Sequence, residues 1–243
     1  DLVVNAAAYT AVDRAEVEPE LAHQVNSLAP EVLAQETERL GATLVHYSTD
    51  YVFDGSGIDP WREADAPNPL SIYGKTKLEG EMRVLDATSR AYILRTSWVY
   101  SAHGHNFLKT ILRAARSQDV LAVVDDQIGA PTGSELIASV TKNIIDRRAD
   151  MAAGVYHLAA SGFVSWFDYA KHLIGAARQT AGANLQVREV TPAKTANRPS
   201  AAPRPLNSRL DTSKLSAALG ISLPPWQEGV DQLVAKVIGD ELL

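Results

Sequence analysis

Short apolar runs that alternate with helical stretches constrain the fold of this chain more than any other feature. Three such runs lie at Leu2–Ala7, Thr43–Ser48 and Ala91–Thr96, without the alternation expected of a strand with one wet face. Helical patterns separate them, over about residues 13–40 and 71–86. Strands that are buried on both faces and joined through helices form parallel sheets. The sequence therefore predicts an α/β fold with a Rossmann-like, doubly wound parallel sheet.

The pattern loosens beyond Asp150, which indicates a second structural region. Leu185–Val190 has the composition of another strand, and the proline-rich segment Thr191–Asn207 is typical of an extended segment at a ligand site or between elements. We therefore predict a dinucleotide-binding Rossmann-like domain over residues 1–160. A smaller α/β domain, mainly substrate-binding, should cover residues 161–243.

Local signals predict where several helices begin and end. Thr132 and Glu135 have the spacing of a capping box, in which a hydroxyl and a carboxylate satisfy free amides at a helix start. The helix that follows should reach about Arg147. Two more helices are expected near the end of the chain, over about Thr212–Leu219 and Trp226–Leu243.

Composition excludes several classes of function. The 243 residues are 46% hydrophobic and 21% charged, as in an ordinary soluble globular protein. No apolar run approaches the ~18 residues that cross a bilayer, and no signal-peptide pattern opens the chain, so no membrane partner is expected. The absence of cysteine excludes disulfides and thiol catalysis, and is compatible with a cytoplasmic location. The net charge of −6 argues against a nucleic-acid partner; Arg198, Arg204 and Arg209, spread among prolines, suit a small anionic ligand better.

Tyr73 and Lys77 are spaced to share one face of a helix. A close ammonium favours the ionised form of a phenol, whose pKa is ordinarily ~10, and this makes a tyrosine useful as a proton donor or acceptor at neutral pH. Thr49 ends the preceding strand-like run and offers a hydroxyl partner. The spacing alone also fits an amphipathic helix with one aromatic residue and one surface lysine, so both interpretations stand at this point.

Six short segments, in order along the chain, resemble one family of enzymes. Asn5–Asp13, Ser48–Gly55 and Tyr73–Lys77 resemble the extended short-chain dehydrogenase/reductases. Three further segments narrow the resemblance to the dTDP-4-dehydrorhamnose reductases, namely Arg95–Tyr100, Asp126–Thr132 and Arg204–Leu210. The likeness runs from Asp1 almost to the C-terminus.

The resemblance implies a reaction and its ligands. The protein is expected to reduce the C4 ketone of dTDP-4-dehydro-L-rhamnose to dTDP-L-rhamnose with NADPH or NADH, in dTDP-rhamnose biosynthesis. A dTDP-sugar is then the small-molecule partner, and a homodimer is a further expectation. The sequence does not distinguish the two nicotinamide cofactors, because the residues that decide between them would lie before Asp1.

The resemblance also assigns catalytic roles. Hydride addition to a ketone places negative charge on its oxygen, so a proton donor at that point lowers the barrier. By resemblance Tyr73 is the donor, and Lys77 lowers the Tyr73 pKa and binds the nicotinamide ribose. Thr49 would hydrogen-bond the same carbonyl group, in a position often filled by serine. The alternative for Thr49 is a hydroxyl that bonds only the local backbone at the end of a strand.

Two sets of binding residues follow from the same resemblance. The residues expected at the cofactor are Ala6, Ala7, Ala8, Tyr9, Thr10, Tyr73 and Lys77. The residues expected at the substrate are Thr49, Asp50, Trp98, Asn207 and Arg209. Plainer alternatives exist, because alanines after a strand also allow tight helix–sheet packing, a tryptophan is often core and an arginine is often solvated. No metal is assigned, because no ligand spacing is found at His46, His103, His105 and His157.

The front of the chain departs from the family pattern. The glycine-rich dinucleotide loop, which closes the first strand onto a helix N-terminus, should precede Asp1. Roughly one or two βα units would then be missing, at ~30 residues for each βαβ unit. Either the sequence is a segment of a longer chain, or the protein does not hold a dinucleotide in the usual way. We expect the first, because a sheet that begins at Leu2 has unpaired apolar edges.

Three related functions compete with simple reduction. Sugar-nucleotide 4,6-dehydratases share the Tyr-x-x-x-Lys pair but typically carry an Asp-Glu pair after the threonine, whereas Asp50 is followed here by Tyr51. A non-catalytic binding protein, like the regulatory subunit of methionine adenosyltransferase, is favoured by the missing glycine loop and opposed by intact Thr49, Tyr73 and Lys77. An epimerase of the same superfamily fits the later segments less well.

Overall fold

The architecture is an assembly of parallel strands and helices, seen in a computed structural model that describes residues 1–180 and 184–239. The strands are β1 (Leu2–Asn5), β2 (Thr43–Thr49), β3 (Ala91–Thr96), β4 (Val99–Tyr100), β5 (Val120–Val124), β6 (Ile128–Gly129), β7 (Thr132–Gly133), β8 (Gly154–His157), β9 (Val164–Ser165) and β10 (Glu189–Ala193). The α-helices are α1 (Val12–Ala15), α2 (Pro19–His23), α3 (Ala29–Arg39), α4 (Ile72–Ala87), α5 (Phe107–Ala115), α6 (Ser134–Arg147), α7 (Trp166–Gln179), α8 (Ser213–Leu219) and α9 (Trp226–Gly239). A π-helical turn at Gln24–Leu28 and 3-10 turns at Asp50–Val52 and Thr195–Asn197 complete the elements.

The first of two compact units contains the main sheet. It comprises residues 1–97, 140–158 and 200–222. Its strands have the order β1-β2-β3-β8, and every pair is parallel. β3 is buried along its whole length, as its continuous apolar run predicts. The predicted α/β class with a parallel sheet is confirmed.

Small and branched side chains form the apolar core beneath α3 and α4. Leu44 and Ile93 project from neighbouring strands and are fully buried against Ala34 of α3 and Val84 of α4. Only small residues on the helices let their axes approach the sheet so closely. The core therefore fixes where α4 crosses β2 and β3.

A buried ion pair lies on the same side of α4. The Glu81 carboxylate accepts from Arg95 of β3, with Nη2 2.6 Å and Nε 2.9 Å from its oxygens. Both side chains are almost fully buried. A buried charge is tolerated only when it is paired and hydrogen-bonded, so this contact fixes the rotation of α4 about its axis.

The second compact unit comprises residues 98–139, 159–199 and 223–243, as far as they are described. Its largest strand pair is the parallel pair β5-β10, with the shorter pairs β4-β7 and β6-β9 beside it. Side chains of α5, α7 and α9 fill its core, among them Leu108, Leu112, Leu173, Val230 and Val234. This unit has a core of its own.

The two units are not continuous along the chain, as the predicted division at residue 160 would require. Residues 98–139 pack with the second unit, and residues 200–222 return to the first. The reason is strand pairing, because β8 pairs with β3 and β10 pairs with β5. Which ligand each unit binds stays a prediction. Residues 181–183 and 240–243 of the predicted substrate-binding region lie outside the described residues.

Three local predictions differ from the structure. Thr132 does not cap α6, because its hydroxyl donates to the Ala130 carbonyl at 3.0 Å. The strand expected at Leu185–Val190 is shifted to β10, whose register is set by pairing with β5. The strand expected at Leu2–Ala7 ends at Asn5, the last residue of β1 that pairs with β2. No helix in the described part of the chain is long and apolar enough to cross a bilayer.

The π-helical turn meets α4 at a point where only glycine fits. A Cβ atom at Gly80 of α4 would lie 2.0 Å from the backbone oxygen of Asn26. The same Asn26 is completely buried, and its side chain donates to Thr76 Oγ1 at 3.2 Å. Close approach of the two backbones therefore holds the π-helical turn on α4.

Gly80→Ala should destabilise the protein, whereas Gly175→Ala in α7 should not. The first change forces the backbones apart and is expected to lower the free energy of unfolding by at least ~1–3 kcal/mol. A Cβ at Gly175 meets no described atom within 4 Å, so the second change should raise that free energy by up to ~1 kcal/mol through helix propensity. Urea unfolding of both variants measures the difference. Equal stabilities would contradict the close approach at Gly80.

Candidate active site

The first turn of α4 is fixed at a definite point beside the turn at Asp50–Val52. The Ser71 hydroxyl caps the helix and accepts from the Gly74 amide at 3.1 Å. The next free amide, of Ile72, donates to Glu16 Oε1 at 2.8 Å. A Cβ at Gly74 would lie 2.2 Å from the Tyr51 carbonyl oxygen, so the helix and the turn are in direct backbone contact. Residue 73 is therefore presented directly at the end of β2.

Thr49 and Tyr73 form a hydrogen-bonded hydroxyl pair at the carboxyl end of β2. The Thr49 hydroxyl also accepts from the Tyr51 amide at 3.1 Å, and the Tyr51 ring meets the Tyr73 ring edge-on at 5.5 Å between centroids. Burial raises the pKa of Tyr73 to about 12, the hydrogen bond with Thr49 opposes the rise, and the Asp50 charge adds to it. Tyr73 is therefore protonated at neutral pH.

Lys77 is buried, with only 1% of its side-chain surface exposed. Its Nζ donates to the Tyr47 carbonyl oxygen at 2.6 Å and lies 3.3 Å from His46 Nε2. Burial lowers the pKa of Lys77 to about 8, although the Glu81 charge one turn along the helix opposes this. Lys77 was expected to lower the Tyr73 pKa. In the structure the pKa of Tyr73 is raised by burial, and the groups that shift it further are Thr49 and Asp50, not Lys77.

Asp50 presents a buried carboxyl group beside this pair. One oxygen, Oδ1, accepts from Thr49 Oγ1 at 3.1 Å, and Ser208 also hydrogen-bonds the group. The other oxygen, Oδ2, has no hydrogen-bond partner among the described residues. Burial raises the pKa of Asp50 to about 6, against the opposing hydrogen bonds from Ser208 and Thr49. A buried acceptor with spare capacity is suited to a ligand hydroxyl.

The segment after β1 lies open at the carboxyl end of the sheet. It consists of exposed or partly buried residues, namely Ala6, Ala7, Ala8, Tyr9 and Thr10. Asn26 fixes its backbone, because the Tyr9 amide donates to Asn26 Oδ1 at 2.8 Å and Asn26 Nδ2 donates back to the Tyr9 carbonyl at 3.1 Å. Small side chains on a backbone held in this way leave room for a ligand at the strand ends, where open α/β sheets bind nucleotides.

Asn207 and Arg209 are engaged within the protein. Asn207 is buried, and its Nδ2 donates to the carbonyl oxygens of Asp59 at 2.8 Å and Ser56 at 3.3 Å. Its Oδ1 accepts from Arg209 Nη1 at 3.0 Å. These bonds tie the 207–209 segment to the loop that follows Phe53. The predicted contact of both residues with substrate stays a prediction.

Trp98 lies in the second unit and has an unusual backbone. Its φ of 48° is in the left-handed region, which a bulky residue occupies only under strain. Its ring stacks on Trp166 at 3.5 Å between centroids and 11° between planes, and Trp166 Nε1 donates to Gln127 Oε1 at 3.1 Å. Gly129 also packs tightly on this ring, because a Cβ at that position would lie 2.6 Å from the Trp98 ring. The Trp98 ring is therefore partly buried and held in one orientation.

Comparison with known proteins places this chain in a family. The family model described as RmlD substrate binding domain matches residues 1–238. The dTDP-4-dehydrorhamnose reductase of Salmonella typhimurium is 46% identical over 239 residues, which cover 98% of this chain and 80% of the relative. The chain belongs to the dTDP-4-dehydrorhamnose reductase family.

Solved structures of this reductase family agree with the fold described above. The enzyme of that name from Clostridium acetobutylicum has a TM-score of 0.90 at 37% identity, over 97% of this chain and 80% of that chain. The one from Bacillus anthracis, solved in complex with NADP, has a TM-score of 0.89 at 34% identity, over 97% of this chain and 80% of that chain. The Rossmann-like fold predicted from sequence is confirmed for this member of the reductase family.

Several residues of this reductase site escaped sequence reasoning. His46 of β2 contacts Lys77, and Asn5 of β1 contacts His46 from behind, but a polar residue inside an apolar run is typical of an ordinary core position. Arg204 pairs with Asp13 at 2.7 Å and its charge opposes the rise in the Tyr51 pKa that burial causes. In the sequence this arginine is only one member of a diffuse basic segment. The residues next to it do not indicate that it lies near Tyr51.

Asp50→Asn tests the buried carboxyl group. The folded pKa of about 6 lies above the ordinary value, so the group stabilises the folded protein at low pH and loses that contribution as pH rises through about 6. Asparagine does not ionise. The free energy of unfolding of the variant, relative to the parent, should therefore rise by up to ~3 kcal/mol between about pH 4 and pH 7.

The matched control for this test is Asp54→Asn. The pKa of Asp54 is lowered by its hydrogen bonds from Ser56 and Asn68, so the loss of relative stability in that variant is complete near the ordinary carboxyl pKa of ~4, and its curve should run parallel to that of the parent from about pH 5 to pH 7. Denaturant unfolding at several pH values gives both curves. Parallel curves for Asp50→Asn and the parent would show that the carboxyl group is not desolvated in the folded protein.

Proposed function

We propose that this protein reduces the C4 ketone of dTDP-4-dehydro-L-rhamnose to dTDP-L-rhamnose with NADPH or NADH, in dTDP-rhamnose biosynthesis. The observation that carries the proposal is the Thr49–Tyr73 hydroxyl pair with Lys77 one turn along the same helix. Membership of the reductase family supports it, as does the NADP bound to the Bacillus anthracis enzyme. A cytoplasmic location and assembly as a homodimer stay predictions.

Tyr73 is the proton donor of the proposed reaction. Reduction needs a donor that carries its proton when the ketone oxygen becomes negative, and the raised pKa of Tyr73 keeps the phenol protonated. Thr49 bonds the same hydroxyl and would orient the substrate carbonyl between the two side chains. The edge contact with Tyr51 limits rotation of the Tyr73 ring.

The residues present fit a nicotinamide cofactor. Ala6, Ala7 and Thr10 are exposed at the carboxyl end of β1, and Lys77 is held at the carboxyl end of β2. We assign the segment from Ala6 to Thr10, with Tyr73 and Lys77, to cofactor binding. When bound, the cofactor supplies the hydride that adds to C4. Lys77 has N–H groups beyond the one given to Tyr47, and these would bind the ribose hydroxyls.

In addition to Thr49, four residues are assigned to binding of the dTDP-sugar. Asp50 offers a buried acceptor whose Oδ2 lacks a partner within the described chain, and Trp98 offers the part of its ring that Trp166 leaves uncovered as apolar surface for the sugar. Asn207 and Arg209 would take the nucleotide end, where an arginine suits phosphate. Dinucleotide binding is accordingly assigned within residues 1–160, whereas the predicted substrate role of residues 161–243 is carried by Asn207 and Arg209, and Thr49, Asp50 and Trp98 lie before residue 160.

Dehydration is the weaker candidate function. A 4,6-dehydratase needs a second acid after the threonine–aspartate pair, and position 51 is a tyrosine whose ring packs against Tyr73. Burial raises the pKa of Tyr51 and leaves it protonated, so it does not replace a carboxylate. Simple reduction needs no such group. A non-catalytic binding protein would make no use of the Thr49–Tyr73 pair.

Tyr73→Phe should abolish most of the activity. The change removes one hydroxyl and keeps the ring contact with Tyr51, so the fold and cofactor binding should survive while turnover falls by ~10²-fold or more. NADPH oxidation with the dTDP-4-keto sugar measures turnover, and cofactor fluorescence measures binding. Tyr92→Phe is the matched control. Among the described residues, the Tyr92 hydroxyl bonds only the backbone carbonyls of Arg148 and Met151, so this variant should keep full turnover. A fully active Tyr73→Phe enzyme would refute the donor assignment.

Trp98→Ala should affect the sugar-nucleotide and leave the cofactor alone. Loss of the aromatic face is expected to raise KM and lower kcat, because a misplaced ketone loses its alignment with the proton donor. Trp98→Phe keeps a stacking ring and should recover part of the loss. Calorimetric titration of each ligand separately checks the assignment. Equal weakening of both ligands would mean that Trp98 acts through the core of the second unit.

A further inference from the structure

Three polar groups form a line behind Lys77 across two strands and one helix. Asn5, at the end of β1, places its Nδ2 3.0 Å from His46 Nδ1 on β2. His46 Nε2, on the other side of the ring, lies 3.3 Å from Lys77 Nζ. Asn5 is 6% exposed, His46 0% and Lys77 1%, so water does not compete for these contacts. The proposed reduction uses Lys77 but assigns nothing to the two groups behind it.

The backbone decides which ring nitrogen of His46 carries the proton. The Ala7 amide donates to Asn5 Oδ1 at 3.1 Å, so the oxygen of the Asn5 amide faces Ala7 and the NH2 group faces His46. That NH2 group donates to His46 Nδ1, which must therefore be the unprotonated nitrogen. Burial and the Lys77 charge lower the pKa of His46 to about 3, so the ring is neutral. A neutral ring with a bare Nδ1 has its proton on Nε2, directed at Lys77.

A donor directed at Lys77 Nζ disfavours the ammonium form. A neutral amine accepts from His46 Nε2–H and still donates to the Tyr47 carbonyl at 2.6 Å, whereas an ammonium has no lone pair to accept with. On the proposed function, we propose that His46, held by Asn5, is a positioning residue that directs an N–H at Lys77 and so makes the Lys77 ammonium a ready proton donor to the active site.

The charged groups around Lys77 leave this role to His46. On its own helix, Glu81 favours the ammonium, but that carboxylate is already paired with Arg95 of β3. Tyr73 is protonated and brings no charge. From the 3-10 turn, the Asp50 carboxyl group faces Thr49 and Ser208.

The other charged residues of α4 lie on its outer side, where Lys75 and Asp86 are exposed. Glu79 and Arg83 pair there with His23 and Glu31 of the neighbouring helices. These two positions are on the helix face turned away from Lys77. Among the described residues, His46 is the side chain of the adjacent strand whose polar group contacts Lys77 Nζ.

The proton inventory of the reaction gives the device a purpose. Tyr73 passes its O–H proton to the C4 oxygen as hydride adds to C4, which leaves a phenolate. The Lys77 ammonium then supplies the proton that restores the Tyr73 phenol, and the amine that is left takes one proton from solvent. The lower the pKa of Lys77 lies below that of Tyr73, the further this transfer to the phenolate runs downhill. The His46 N–H weakens the hold of Lys77 on its proton.

The first experiment reads the protons without any turnover. Histidine ring 15N spectra of the intact protein distinguish the two neutral tautomers, and His46→Gln identifies the His46 signals. We expect the Nε2–H tautomer in the parent protein. In Asn5→Asp the carboxylate accepts from both Ala7 and His46 Nδ1–H, so the tautomer should reverse. An Nδ1–H tautomer in the parent protein would overturn the proposal, whatever substrate the enzyme takes.

The second experiment reads Lys77 itself. Titration of the Lys77 13Cε signal, and the basic limb of the pH profile of kcat, should both fall near pH 8 in the parent protein. Asn5→Asp and His46→Gln each turn an acceptor toward Lys77, so both values should move up by about one pH unit or more. His157→Gln replaces another fully buried histidine, bonded to the Trp61 carbonyl at 3.0 Å, and should leave both values where they are.

The two readouts separate this inference from the proposed reaction. Unmoved 13Cε titrations in both folded variants would overturn the role of His46, even with full C4 reduction. Shifted titrations in a protein that does not reduce the dTDP-4-keto sugar would support the role of His46 and reject the reaction.

Discussion

The hydrogen bond from Lys77 Nζ to the Tyr47 carbonyl is the contact on which the site depends. A buried amine costs several kcal/mol unless it is hydrogen-bonded, so this 2.6 Å bond compensates for placing Lys77 between helix and sheet. It ties α4 to the last residues of β2, and the same strand delivers Thr49. Tyr73 is one turn earlier on α4 and therefore lies beside Thr49. This bond holds the helix that carries Tyr73 and Lys77 against the strand that carries Thr49.

Helix α4 is built with its polar side inward. Tyr73, Lys77 and Glu81 recur at one-turn spacing and each meets a polar group of the sheet or its ends, the last being Arg95. Meanwhile the apolar side chains Met82 and Leu85 are exposed, at 58% and 43%. An ordinary amphipathic helix has the opposite arrangement. Gly80 and the other small residues of α4 supply close packing where apolar bulk does not. The helix is therefore positioned by hydrogen bonds and an ion pair. These are directional, so they fix the positions of the site residues more closely than a non-directional apolar contact does.

Sequence reasoning found the strands because apolar runs without alternation are a strong local signal. It matched β3 to the residue, since that run lies between clear breaks. It failed where partners far along the chain decide the outcome. The register of β10 is set by its pairing with β5. The Thr132 hydroxyl donates to the Ala130 carbonyl instead of capping a helix. The catalytic set was predictable from spacing and resemblance, but the inward face of α4 was not, because periodicity assigns lysine to solvent.

The direction of the proposed chemistry follows from which groups hold protons. Spacing suggested that Lys77 would make Tyr73 easier to ionise, yet burial keeps the Tyr73 pKa high and lowers that of Lys77. A phenol that keeps its proton suits the reduction of a ketone, in which the donor must be loaded before hydride arrives. A lysine that gives its proton up more readily suits the step that reloads the phenol. The two shifts have opposite signs because burial disfavours whichever form is charged, and one dry helix–sheet interface therefore prepares both groups for the same direction of reaction.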